Sequence, residues 1–101
     1  MARLLLETEG FVVVGSAPDG ESAITEALEL RPDIVLLDIG LPDITGFEVA
    51  ARLREAGSTA AIVLASSRAG DDFGSLIADS GARGFIEKSV LSGDAVRALV
   101  A

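Results

Sequence analysis

The sequence contains no cysteine and no histidine. It therefore has no thiolate or imidazole zinc site, no disulfide, no thiol nucleophile and no imidazole acid or base. Basic residues are also scarce. Lys and Arg number 8 against 16 Asp and Glu, a formal net charge of -8. Binding a nucleic-acid backbone needs clustered Lys and Arg, so that class of partner is disfavoured. The acidic residues form no run, so there is no acidic tail. No apolar stretch approaches the length of a membrane span, and the N-terminus has no signal-peptide pattern. No direct nucleic-acid or membrane contact is expected, and the default location is cytoplasmic. What the chain does have is apolar content. Half of its 101 residues are hydrophobic, enough for the core of one small domain and too many for disorder.

The stretch Asp33-Ile34-Val35-Leu36-Leu37-Asp38 organises the rest. Its four consecutive aliphatics read as a strand buried on both faces, which then breaks into the loop Ile39-Gly40-Leu41-Pro42. Asp38 has two readings. It caps the turn that follows, as Asp often does, or it is a reactive group at the carboxyl end of a strand, where open α/β sheets hold ligands.

Met1 to Gly10 looks like the last turns of a helix stopped by a glycine. Phe11 to Ser16 is a β-branched strand, and Ala17-Pro18-Asp19-Gly20 is a turn with Asp19 as N-cap. Glu21 to Leu30 follows as a helix, ended by Arg31-Pro32. Thr45 and Glu48 have capping-box spacing for a helix that stops near Gly57. Ala60 to Ser66 is a second buried strand and Ser67 to Asp72 a polar loop. Phe73 to Ser80 is a short helix closed by Gly81, Gly84 to Lys88 a short strand, and Ser92 caps a last helix from Gly93 to Ala101. Strands alternating with helices through short connections predict a parallel α/β sheet with helices on both faces.

Three of these strands end in polar side chains, Asp38, Ser66 and Lys88. In a parallel sheet they share one edge. A carboxylate there can attack a phosphoryl group, a lysine can neutralise its oxygens, and a hydroxyl can donate to one of them. Singly, Ser66 reads as a turn former and Lys88 as a solvated lysine. Their joint placement favours the chemical reading.

Across essentially its whole length the sequence resembles the receiver domain of two-component response regulators. The resemblance is carried by Arg31 to Asp38 with Leu41-Pro42 and Gly46, by Ile62 to Ser67, and by Gly81 to Lys88. It implies a flavodoxin-like (CheY-like) fold with strand order 2-1-3-4-5. It also implies that Asp38 accepts phosphate from a histidine kinase or another phosphodonor, with Ser66 binding the phosphoryl group and Lys88 pairing with it. Ser66 and Phe85 would be the switch pair. Phe85 has a plainer reading as packing within a strand. Asp38 and the Gly40 backbone carbonyl would be ligands of a Mg²⁺ ion.

The family begins with a hydrophobic strand ending in two acidic residues, and this sequence has neither. The resemblance therefore implies a domain over residues 1–101, incomplete at its N-terminus and lacking its central strand, with no output domain following. A hard dication needs several oxygen ligands. Mg²⁺ is thus expected to bind weakly or not at all, and Mg²⁺-dependent phosphorylation to be impaired. For the gap beside residues 33–37 three outcomes stand open. The chain is a truncated gene product or Met1 is a mis-assigned start, or a partner, second copy or exchanged strand fills the gap, or the flanking strands pair directly. Output would be contact with a downstream protein partner. The alternative is a phosphorylation-independent pseudo-receiver. An aspartate-nucleophile phosphohydrolase is disfavoured, since Gly40 stands where such enzymes carry a second Asp. The chain is thus expected to be a regulatory domain and not an enzyme.

Overall fold

The computed structural model describes residues 2–3, 16–69 and 73–100. Its elements in chain order are β1 (Ala2–Arg3), β2 (Ser16–Ala17), α1 (Gly20–Leu30), β3 (Ile34–Asp38), α2 (Gly46–Glu55), β4 (Ala61–Ser66), α3 (Leu76–Asp79), β5 (Gly84–Glu87) and α4 (Gly93–Val100), with one 3-10 turn at Lys88–Val90. The strands form one sheet in the order β2-β1-β3-β4-β5. β3, β4 and β5 are parallel, with Ile34 to Asp38 opposite Ala61 to Ala65 and Val63 to Ser66 opposite Gly84 to Glu87. β1 runs antiparallel to both its neighbours, which gives β2 the same direction as β3.

Local chemistry accounts for the element ends. The Asp19 carboxylate accepts the Ser22 N–H at 2.8 Å and starts α1. Arg31, left-handed at φ 49°, ends it by donating its N–H to the Ala27 carbonyl, and Pro32 follows. Thr45 Oγ1 accepts the Glu48 N–H at 3.2 Å and starts α2. Ser92 Oγ accepts the Ala95 N–H at 3.1 Å ahead of α4.

Both sheet faces are covered. Alternate residues of β3 face opposite ways, so Val35 and Leu37 join Ala23, Ala27, Val49, Leu53 and Leu64 under α1 and α2. Leu36 joins Val63, Ala65 and Ile86 under Val96 of α4. The unbroken apolar run of β3 is thus explained by two cores sharing one strand.

Five expectations need correction. Ala2–Arg3 is strand, not helix, and the rest of the proposed helix end, Leu4 to Gly10, lies outside the described residues. The central position is not a gap either. Ala2 pairs with Ala17 and Leu37, and Arg3 with Ser16 and Leu36, so β2 and β3 do not pair directly. Ladder bonding to both neighbours satisfies backbone groups that a gap would strand, and the same pairing makes Ala17 extended where a turn was expected. The strand expected over residues 11–16 is described only at Ser16. The helix expected from Phe73 shrinks to Leu76–Asp79, because Gly74 adopts a left-handed φ of 57°. Finally, β5 stops at Glu87, and Lys88 opens the 3-10 turn that its carbonyl closes with the Leu91 N–H at 3.3 Å.

Leu53 is 0 % exposed and Leu76 is 52 % exposed. Leu53→Ala is expected to lower unfolding free energy by about 2–5 kcal/mol in urea titration, and Leu76→Ala by no more than about 0.5 kcal/mol.

Candidate functional site

Asp38 is the last residue of β3, half-buried at the carboxyl edge of the sheet. The chain beyond it turns at once. The Ile39 N–H donates to the Ala65 carbonyl at 2.9 Å, and the Gly46 N–H donates back to the Ile39 carbonyl at 3.0 Å. α2 begins so close to this backbone that a Cβ on Gly46 would stand 2.7 Å from the Asp38 carbonyl oxygen. Glycine at residue 46 is therefore a steric requirement of the loop.

Lys88 Nζ lies 3.0 Å from Asp38 Oδ1, with the lysine side chain 48 % and the carboxylate 18 % exposed. Burial raises the Asp38 carboxyl pKa. Hydrogen bonding and charge, those of Lys88 among them, outweigh that and hold it below the usual carboxylate range. The ionised form is thus the one favoured at neutral pH. Ser66 ends β4 one residue beyond Ala65, the register partner of Asp38, so it shares the same edge. Its Oγ accepts the Arg68 N–H at 3.1 Å, which leaves the hydroxyl proton available to donate. Gly40 is exposed, two residues past Asp38.

Phe85 faces away from a simple surface role. Its ring lies 5.8 Å from that of Phe73, which lies 5.8 Å from Phe47. The Arg68 guanidinium sits 5.6 Å above Phe73. The aromatic trio packs against the α1–α2 core, and Arg68 links it to the Ser66 turn. Sequence spacing gave no sign of this link, since Phe47 comes from α2, Phe73 from the stretch before α3 and Phe85 from β5.

The oxygen donors for a metal are thin. Among the described residues no three Asp or Glu side chains converge. Asp38 and the Gly40 carbonyl do not by themselves fit a magnesium ion, which wants six oxygens in near-octahedral geometry and keeps several as water.

A further carboxylate was not singled out in the sequence. Asp43, in the loop between β3 and α2, accepts the Gly20 N–H at 2.7 Å on Oδ1 and the Glu21 N–H at 3.0 Å on Oδ2. These bonds, that from Gly20 foremost, depress its pKa to about 2. An Asp following Pro reads locally as a turn residue, and only the fold brings it to the start of α1.

The parallel strands β3, β4 and β5 bring a carboxylate, a hydroxyl and, one residue past β5, a lysine to one sheet edge, an arrangement consistent with a receiver-type domain. The model of the response regulator receiver domain family matches residues 1–100, and the chain belongs to that family. It is 40 % identical over 100 residues to the positive alginate biosynthesis regulatory protein of Pseudomonas aeruginosa, covering 98 % of this chain and 40 % of that protein. It is 31 % identical over 99 residues to the response regulator GacA of Pseudomonas viridiflava, covering 98 % of this chain and 46 % of that protein. It thus spans less than half of these curated relatives. The signal receiver domain of a NarL response regulator from Mycobacterium tuberculosis superposes with a TM-score of 0.78 at 29 % identity, covering 88 % of this chain and 74 % of that one.

Two titrations follow. Lys88→Met is expected to raise the Asp38 pKa, read from its carboxyl carbon shift by NMR. Asp43 has its folded pKa depressed from 3.8 to about 2. Its contribution to stability is therefore complete above the unfolded value and is lost as pH falls toward the folded one. In acid titration between about pH 4 and 2, Asp43→Asn is expected to flatten the decline in stability relative to wild type.

Proposed function

We propose that this chain is a phosphorelay receiver in which Asp38 accepts a phosphoryl group from a histidine kinase or a small phosphodonor. The observation that carries the reading is the 3.0 Å contact between Lys88 Nζ and Asp38 Oδ1, at the carboxyl edge of a parallel sheet. An ionised Asp38 oxygen forms the new O–P bond while the donor's P–N or P–O bond breaks, and the leaving group keeps the electron pair. Lys88 moves from the carboxylate to a phosphoryl oxygen and offsets its charge. The Ser66 hydroxyl donates to a second phosphoryl oxygen, and its shift passes to Phe85 through the aromatic trio.

Receiver domains generally use Mg²⁺ to bridge protein and phosphoryl group. Among the described residues the donor set around Asp38 falls short of such a site, so Mg²⁺-dependent phosphorylation is expected to be impaired. The same shortage favours the second reading, a pseudo-receiver that binds its partner without phosphorylation. In either case the output is contact with a downstream protein through the surface around α3 and Phe85. Among the described residues no helix is long and apolar enough to cross a membrane, and the reading places the chain with cytoplasmic signalling proteins.

The test is incubation with acetyl phosphate and Mg²⁺, followed by intact mass. One phosphoryl adduct is expected, absent in Asp38→Ala. Lys88→Ala should slow its formation by on the order of 10²-fold. An adduct that survives Asp38→Ala overturns the assignment. No adduct at any Mg²⁺ concentration, with equal partner affinity in wild type and Asp38→Ala, selects the pseudo-receiver.

A further inference from the structure

We propose that Asp43 is a positioning residue for the acceptor loop: its carboxylate clamps residues 39–45 to the first turn of α1 and so sets where the Gly40 carbonyl stands beside Asp38. The proposal rests on the reading of Asp38 as phosphoacceptor. It adds a residue that neither touches the reacting group nor belongs to the strand-end set.

The loop is anchored at two points. At one, the backbone of Ile39 and Gly46 closes on itself and on Ala65. At the other, the two oxygens of Asp43 take two N–H groups that α1 would otherwise leave without helical partners. α1 is pressed against the loop there as well. A Cβ on Gly20 would collide with Ile44 Cγ1 and stand 3.0 Å from Val49 Cγ2. Gly40 sits between the two anchors, where a Cβ would meet nothing within 4 Å among the described residues. No described residue packs against Gly40 from its side-chain direction, and the two anchors are what hold the loop on either side of it. Charge-assisted bonds are the stronger kind, and the macrodipole of an 11-residue helix adds to them. Asp19 already caps α1 by accepting the Ser22 N–H at 2.8 Å. A second carboxylate is thus not needed to start the helix, and what it adds is the tie to the loop.

Native-state hydrogen exchange on the whole chain separates this role from a merely stabilising one. In Asp43→Ala, the Ile39 and Gly46 amides should exchange about tenfold faster relative to the Val63 and Leu64 amides, which report opening of the core. Asp43→Asn, which keeps one acceptor oxygen, should fall between wild type and Asp43→Ala. Asp19→Ala, which removes the other carboxylate from the same helix end, should leave the ratio unchanged. Equal acceleration of loop and core amides in both Asp43 variants, or the same ratio change in Asp19→Ala, overturns the proposal. With acetyl phosphate, Asp43→Asn should slow the adduct and leave half-saturation by the donor as in wild type. A normal adduct rate in a variant whose loop amides have loosened also overturns it. A wild type that forms no adduct counts against the reading of Asp38, and the exchange ratios then decide the clamp alone.

Discussion

The pairing of β3 with β4 is the constraint from which the rest follows. Five successive residue pairs run from Ile34–Ala61 to Asp38–Ala65, and their register is not free. A slip by one residue would turn Leu37 and Val35 away from the α1–α2 core and bring Leu36 into it. Because both faces of β3 are buried, each alternative register is opposed from two sides. That rigidity is what fixes Asp38 at the sheet edge, level with the residue before Ser66, and lets β5 deliver Lys88 to the same place. Chemical groups held on paired strands keep their spacing better than groups on loops.

Asp38 illustrates how the surroundings decide a charge state. A half-buried carboxylate left alone would drift toward its neutral form. Here hydrogen bonding and charge, those of Lys88 among them, prevail, and the group stays ionised though partly desolvated. Such a carboxylate is ionised and already paired, and on the proposed reading the paired lysine would pass to the phosphoryl oxygens and offset part of their charge.

The strand-end residues were legible because they obey a rule of period and position. The run Ile34 to Leu37 has no polar interruption, so Asp38 stands out, and the endings at Ser66 and Glu87-Lys88 repeat the pattern. Asp19, Thr45 and Ser92 were legible as caps for the same reason, since each acts on an amide three residues ahead. What escaped was long-range or backbone-driven. Asp43 acts across 23 residues of chain on Gly20, and no local pattern encodes that. The late start of the helix expected from Phe73 depends on the sign of one glycine dihedral. Ala2–Arg3 is extended because two strand edges flank it, and its own residues carry no strand signal.

α3 is attached differently from the other helices. None of its residues is buried. Its end is held by Arg54 Nη1 donating to the Ser80 carbonyl at 3.3 Å, and by Ser80 Oγ, which donates to the Ile77 carbonyl at 2.6 Å and accepts the Ala82 N–H at 3.1 Å. Moving α3 therefore withdraws no fully buried side chain from the core. The cost is a handful of hydrogen bonds, each worth about 0.5–1.5 kcal/mol net. That is the same scale as the coupling energies of about 1–3 kcal/mol by which one site typically biases another. Among the described helices α3 is thus the one that can shift without uncovering a fully buried side chain.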